Sequence, residues 1–159
     1  MRQELVHLGN GAHALAIQIL GNSEDAADAV HDAFATVLEK PGSYDGRKGP
    51  LKPWFLRVVR NRCIDVLRRR RPSGVDIDVL EAPGAMPDEN LETGERDRHL
   101  QAALANIKPE QRQIVVLRDY LDLSYAEIAA VLDVAPGTVM SRLHRARLAL
   151  KQQLEKEHG

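Results

Sequence analysis

Apolar positions recur along this chain at helical spacing and nowhere alternate over the length of a strand, so the pattern predicts an all-α protein. The first periodic segment covers 11–20 and stops at Gly21-Asn22, a pair suited to the left-handed turn that ends a helix. A second covers 24–39, with a stripe of Ala26, Ala27, Val30, Ala33, Phe34, Val37 and Leu38. Ser23 is placed to cap it, and Glu24 and Asp25 sit at the positive end of its dipole. Lys40-Pro41-Gly42 stops this helix, and 41–50, with three glycines and two prolines, reads as a loop. A third helix is predicted over 51–71, ending at Pro72, with an apolar arc of Leu51, Trp54, Phe55, Val58, Val59, Cys63, Val66 and Leu67. The stretch 72–94 has no period and is rich in Pro, Gly and acids, so it reads as a linker. Helices follow at 95–106, at 109–121 with Pro109 in the first turn, at 125–132 and at 136–155. The expected layout is two small helical domains, 1–71 and 95–159, joined by a flexible linker at 72–94 and moving independently.

The pattern is sharpest in LDLSYAEIAAVLDVAPGTVMSRLHRAR, residues 121–147. Ser124 followed by Glu127 is a capping box. Ile128, Ala129 and Leu132 form one apolar face, and the small Ala129 lets a second helix cross closely. Asp133-Val134 makes the turn at a position where most helix-turn-helix units prefer Gly, because the chain turns left-handed there. Asp tolerates that conformation at a small cost. Pro136 then opens the second helix. At about 100° per residue, Val139, Leu143, Ala146 and Leu150 fall within about 40° of one another and form the core face. Gly137, Ser141, His144 and Arg145 point the opposite way, with Thr138 and Met140 flanking them and Arg142 and Arg147 nearer the boundary. Leu148 also falls on the outer face, and the pattern gives no account of it. Small residues at the exposed start of a helix, with donors along its outer face, suit the major groove of DNA. Arg145 has the fork to take guanine O6 and N7 together, while Arg142, Arg147 and Lys151 suit phosphates. The competing structural reading is a helical hairpin with a wet basic face.

Charge changes the picture where the whole-chain balance does not. The net charge is −1, yet 57–71 carries seven arginines against Asp65, and 134–151 carries Arg142, Arg145, Arg147 and Lys151 with no acid. Between them, 76–97 carries eight acids against Arg96, and 24–39 carries five acids and no Lys or Arg. Two basic segments separated by an acidic one suggest two nucleic-acid contacts and a spacer; alternating solvated helix faces would look the same from charge alone. On helix 51–71 the polar face presents Arg57, Arg60, Asn61 and Arg68, and basic groups beside aromatics suit single-stranded DNA. Tyr44, in the preceding loop, is placed to meet an unstacked base. Trp54 and Phe55 read as core in preference to stacking partners. Arg62 falls inside the apolar arc and is expected to pair with Asp28 or Asp32, since an unpaired buried charge is costly. Arg68 to Arg71 read equally as a solvated helix end.

Composition bounds the function. At 43% hydrophobic and 28% charged residues, the chain reads as soluble and globular. Its one cysteine, Cys63, excludes an internal disulfide and is expected to be buried. No leader opens the chain, and no apolar run approaches the ~18 residues that span a membrane, so the expected location is the cytoplasm. There is no phosphate-binding glycine loop, no Cys/His metal spacing and no nucleophile constellation, so neither an enzyme nor a bound cofactor or metal is expected.

GTVMSRLHRAR, preceded by SYAEIAAVL and PEQRQIVVLRDYL, closely resembles region 4 of sigma-70-type factors, especially the extracytoplasmic-function (ECF) group. GNSEDAADAVHDAFATVL and PWFLRVVRNRCIDVLRRR resemble sigma region 2. The resemblance covers about 12–71 and 95–155. It implies an alternative sigma factor that binds core RNA polymerase through the β′ clamp helices and the β flap. Such a factor reads the −35 and −10 promoter elements, helps melt the DNA and is held off by an anti-sigma factor. By the resemblance, −35 base contacts fall on Met140, Ser141, His144 and Arg145; Tyr44 and Asn61 are base-pocket residues for the −10 element; Asp28, Asp32 and Phe34 lie in the polymerase-facing segment. Met140 stands where the family often has Lys or Arg, the loop 44–53 is slightly longer than usual, and only about twenty residues precede Gly21, where the family usually has a longer first helix. The alternative is a stand-alone helix-turn-helix regulator, which accounts for 121–151 but leaves the arginine-rich 57–71 and the acidic 24–39 unexplained. A pure protein-interaction module comes third.

Overall fold

The computed structural model describes residues 2–70 and 94–158, and every regular element among them is helical. Most of the stretch expected to be a linker, 72–94, lies outside the described residues.

In the N-terminal half, α1 (Arg2–Leu20), α2 (Ser23–Glu39) and α3 (Leu51–Arg70) pack on one another. Gly21, at φ 85°, ends α1 in the left-handed region that glycine enters at no steric cost. The cap of α2 is Asn22, not Ser23: its side-chain oxygen accepts the Asp25 N–H at 2.8 Å. The core is made of Leu15 and Ile19 from α1, Val30, Ala33 and Val37 from α2, and Phe55, Val59 and Cys63 from α3. The Phe34 and Phe55 rings meet at 4.8 Å, within the range where aromatic pairs gain beyond their burial. Two short 3₁₀ turns, Pro41–Ser43 and Gly46–Lys48, fold the loop before α3. α1 begins well before the predicted 11–20, because Leu5 and Leu8 extend its apolar side across Gly9 and Gly11.

In the C-terminal half, α4 (Glu95–Ala105) and α5 (Pro109–Val115) lie against α7 (Pro136–His158), with α6 (Tyr125–Leu132) crossing it. The predicted single helix 109–121 is α-helical only as far as Val115. One π turn, Val116–Tyr120, follows, and the Leu121 N–H closes it on the Val116 carbonyl at 2.8 Å. Arg112, fully buried, donates from Nη1 to the Ile107 carbonyl at 2.7 Å and so holds the turn between α4 and α5.

The two halves are packed on one another. α3 runs along α6, α1 touches α5 and its π turn, and the buried apolar residues of both halves form one continuous core. The contact is close: a Cβ on Gly11 would lie 2.9 Å from Leu121 Cδ2.

Candidate nucleic-acid interface

The helix-turn-helix is built as its sequence implies. Ser124 Oγ accepts the Glu127 N–H at 3.1 Å, and Glu127 returns the bond by accepting the Ser124 N–H at 2.8 Å. α6 ends on Asp133, left-handed at φ 58° and ψ 50°. After this turn α7 buries Val139, Leu143 and Ala146 and half-buries Leu150. Gly137, Met140, Ser141, His144 and Arg145 face solvent together, while Thr138 and Arg142 are half-buried at the edge of that face. Ser141 Oγ donates to the Thr138 carbonyl at 3.1 Å, which fixes its rotamer. Leu148 and Met140 are the exposed apolar groups of this helix.

Arg147 is placed differently from its neighbours. Its guanidinium grips Asp119 of the π turn with two nitrogens, Nε at 3.2 Å from Oδ2 and Nη2 on Oδ1. That hydrogen-bonded pairing raises the already high pKa of Arg147. The side chain is about half exposed, so the pair orients α7 on the bundle while one edge still faces outward. Next to it, Arg118 donates to the Leu123 carbonyl at 2.7 Å and lies 5.1 Å over the Tyr125 ring. The π turn therefore aims two consecutive side chains, Arg118 and Asp119, at the helix-turn-helix. Sequence reasoning missed Asp119, and its only signal was an acid next to the reading unit.

In the other half the loop before α3 forms a built pocket. The Tyr44 hydroxyl donates to the Gly49 carbonyl at 2.7 Å, and its ring meets Trp54 at 5.0 Å. Both rings border a cavity of about 400 Å³, with Lys48, Pro50, Pro53 and Arg57 beside them. Trp54 thus lines a pocket instead of lying wholly in the core, while Phe55 is fully buried as expected. Arg57, Asn61 and Arg68 are exposed; Arg60 is half-buried and donates from Nε to Gln113 Oε1 at 3.0 Å. Around the pocket, Asp45 accepts from the Arg47 backbone and guanidinium, which holds its carboxyl below the ordinary carboxylate range.

Arg62 pairs with Asp32 at 3.0 Å, one of the two partners expected from its place in the apolar arc. Asp28 is exposed on the same side of α2, but Phe34 turns inward onto Phe55 and lies beside Gly9, so the three residues do not form one exposed patch. At the N-terminal end of α2, Asp25 is held below its usual pKa first by the Asn22 side chain and then by Arg70 at 2.9 Å. Cys63 is buried, and burial pushes its thiol up to about 12. Among the described residues no His, Cys, Asp and Glu cluster could hold a metal ion, and no helix is long and apolar enough to cross a membrane.

Comparison with known proteins agrees with this division. Residues 6–72 match the family of sigma-70 region 2, and residues 97–150 match sigma-70 region 4. The chain is 36% identical over 149 residues to the ECF RNA polymerase sigma factor SigE of Mycolicibacterium smegmatis, covering 91% of this chain and 57% of that protein. It is 38% identical over 146 residues to the ECF RNA polymerase sigma factor SigM of Mycobacterium tuberculosis, covering 89% of this chain and 70% of that one. The sigma factor RpoE of Bartonella quintana, crystallised with the anti-sigma factor NepR, superposes with a TM-score of 0.78 at 26% identity. That superposition covers 97% of this chain and 96% of the other, and so takes in both halves. The region 2 match accounts for the α1–α3 half that a stand-alone helix-turn-helix regulator leaves unexplained. The chain belongs to the extracytoplasmic-function group of the sigma-70 family.

Proposed function

We propose that the chain is an alternative sigma factor that binds core RNA polymerase in the cytoplasm, directs it to particular promoters and helps open the DNA there. The observation that carries this reading is the presence of two different basic faces on one chain. One is the outer face of α7 from Gly137 to Lys151, which carries no acid and is suited to duplex DNA; the other is the arginine and aromatic face before and along α3, suited to a single strand. The chain divides functionally into 1–71 for core polymerase and the −10 element, 72–94 as linker, and 95–159 for the −35 element.

On this reading α7 enters the major groove. Met140, Ser141, His144 and Arg145 meet base edges, Thr138 flanks them, and Arg142 and Arg147 set the register on phosphates. Arg145, paired with a guanine, contributes about 1–3 kcal/mol of discrimination. Tyr44 and Asn61 take unstacked bases of the −10 element while Arg57, Arg60 and Arg68 follow the strand. No bond is made or broken: trapping flipped bases offsets unstacking costs of a few kcal/mol per base. Asp28, Asp32 and Phe34 mark the segment that docks on the β′ clamp helices, and the C-terminal half meets the β flap. An anti-sigma factor, such as the one crystallised with the Bartonella quintana relative, is the expected antagonist.

The test is capture of core RNA polymerase by this chain, followed by run-off transcription on a genomic DNA pool. Promoter-specific transcripts are expected. Sequence-specific DNA binding with no hold on core polymerase would sink the proposal. Arg145→Ala is expected to weaken −35 recognition and relax preference at one base pair, and Asn61→Ala to spare the closed complex and slow opening.

A further inference from the structure

Of the residues assigned above to the −35 element, Met140 alone has a wholly apolar side chain, and it is 59% exposed. A single exposed apolar group is ordinary on a protein surface, so its place is what makes it informative. Met140 is the fifth residue of α7, at the end of a reading helix that meets base edges. At about 100° per residue it lies about 40° from His144, about 60° from Gly137 and about 100° from Ser141 around the helix. No acid stands on that face from Gly137 to Lys151. Leu148, the other exposed apolar group of α7, lies about 12 Å further along the axis, away from the end that enters a groove.

The surroundings of Met140 leave room for close approach. A Cβ on Gly137 would meet nothing within 4 Å, so packing does not require glycine there. Glycine weakens a helix relative to alanine, and what it supplies here is an open start to the outer face of α7. Ser141 donates its hydroxyl to the Thr138 carbonyl at 3.1 Å, so towards a base its oxygen is left as an acceptor. It has no hydrogen left for thymine O4, which also accepts.

Base edges then decide what Met140 can meet. Its thioether sulfur donates nothing and accepts weakly. Set against guanine O6 and N7, or against the amino group of cytosine or adenine, it leaves a polar edge desolvated and unpaired. Thymine alone presents an apolar group in the major groove, its C5-methyl. The unbranched methionine chain adapts its shape to such a contact. We propose that Met140 is a specificity-determining residue that reads the methyl group of a thymine in the −35 element, on either strand. The inference rests on the sigma-factor reading above. What is recognised is the methyl itself. 5-Methylcytosine carries the same group at the same place, so at that base pair methylated cytosine is bound in preference to plain cytosine.

The test uses the full chain assembled with core RNA polymerase and a promoter recovered by run-off transcription. Each thymine of the −35 element, on both strands, is replaced singly by deoxyuridine, which pairs alike and lacks only the methyl. Competition against the fluorescein-labelled promoter reads affinity. The natural holoenzyme is expected to lose about fourfold at one position, the worth of one buried methyl group. At that position 5-methylcytosine is expected to bind about fourfold better than cytosine. Met140→Ala is expected to bind the thymine promoter several-fold more weakly and to show no further loss with deoxyuridine there, whereas Met140→Leu keeps the sensitivity. Circular dichroism checks that both variants fold. A natural holoenzyme indifferent to deoxyuridine at every position, or a folded Met140→Ala as sensitive as the natural chain, would overturn the proposal. Absence of promoter-specific transcripts defeats the sigma-factor reading itself; specific transcription without a methyl effect defeats only the thymine contact.

Discussion

Cys63 shows how one residue reports its surroundings. Helical spacing put it on the apolar arc of α3, and it lies at the centre of the N-terminal core with its thiol pushed up to about 12. An unfolded thiol loses its proton near pH 8.5, so the folded state holds that proton more tightly. The sign follows: stability is unaffected by this group below about pH 8.5 and falls as pH rises from there towards 12. Alkylation by iodoacetamide at pH 8 is expected to be negligible in the native protein and complete in urea; rapid native labelling would show that the core is not closed. Arg62 was legible for a related reason, since a charge inside an apolar arc needs an acid across the helix pair, and Asp32 supplies it at 3.0 Å. Asp119 was not legible. Its place beside the helix-turn-helix is the only local mark, and its bond to Arg147 depends on a π turn that brings distant parts of the chain together.

At the scale of elements, α6 matches its expected bounds of 125–132 because both ends carry chemical signals. The capping box opens it, and a residue tolerant of left-handed geometry closes it. Ser124→Ala removes the side-chain acceptor for the Glu127 N–H and is expected to cost about 1 kcal/mol in urea unfolding, with the outer face of α7 intact. An unchanged midpoint would mean that Glu127 or water satisfies that end alone. The π turn after Val115 escaped prediction since one extra residue per turn barely disturbs an apolar pattern that ends five residues later. The start of α1 escaped for another reason. Gly9 and Gly11 lower helix propensity by roughly 1 kcal/mol each relative to Ala, so the periodic signal fades there. Their purpose is tertiary: Gly9 lies beside Phe34 and Gly11 beside Leu121. A close approach across the fold leaves no mark in the local pattern except the glycine itself.

For the whole molecule, the division into two helical halves was readable from the acidic, aperiodic stretch between them, but their packing was not. The residues that join them, Lys52, Arg57 and Arg60, look like part of a nucleic-acid face, and in sequence nothing distinguishes an arginine awaiting phosphate from one engaged by Gln113. The continuous core makes a thermodynamic prediction. Trp54 fluorescence and far-UV circular dichroism are expected to report one coincident thermal transition for the natural chain, and two for Gly11→Leu once the halves part. Separate transitions in the natural chain would mean that the junction contributes little to stability.

The same continuity sets a clock during synthesis. The N-terminal half leaves the ribosome first, with the arginine-bearing side of α3 bare, and α6 can pack on it only after the C-terminal half has emerged. At ~5–20 residues per second, that interval is on the order of several seconds. For that interval the nascent chain exposes a basic, aromatic-lined face among the ribosome's RNA, and the order of translation alone decides how long it does so.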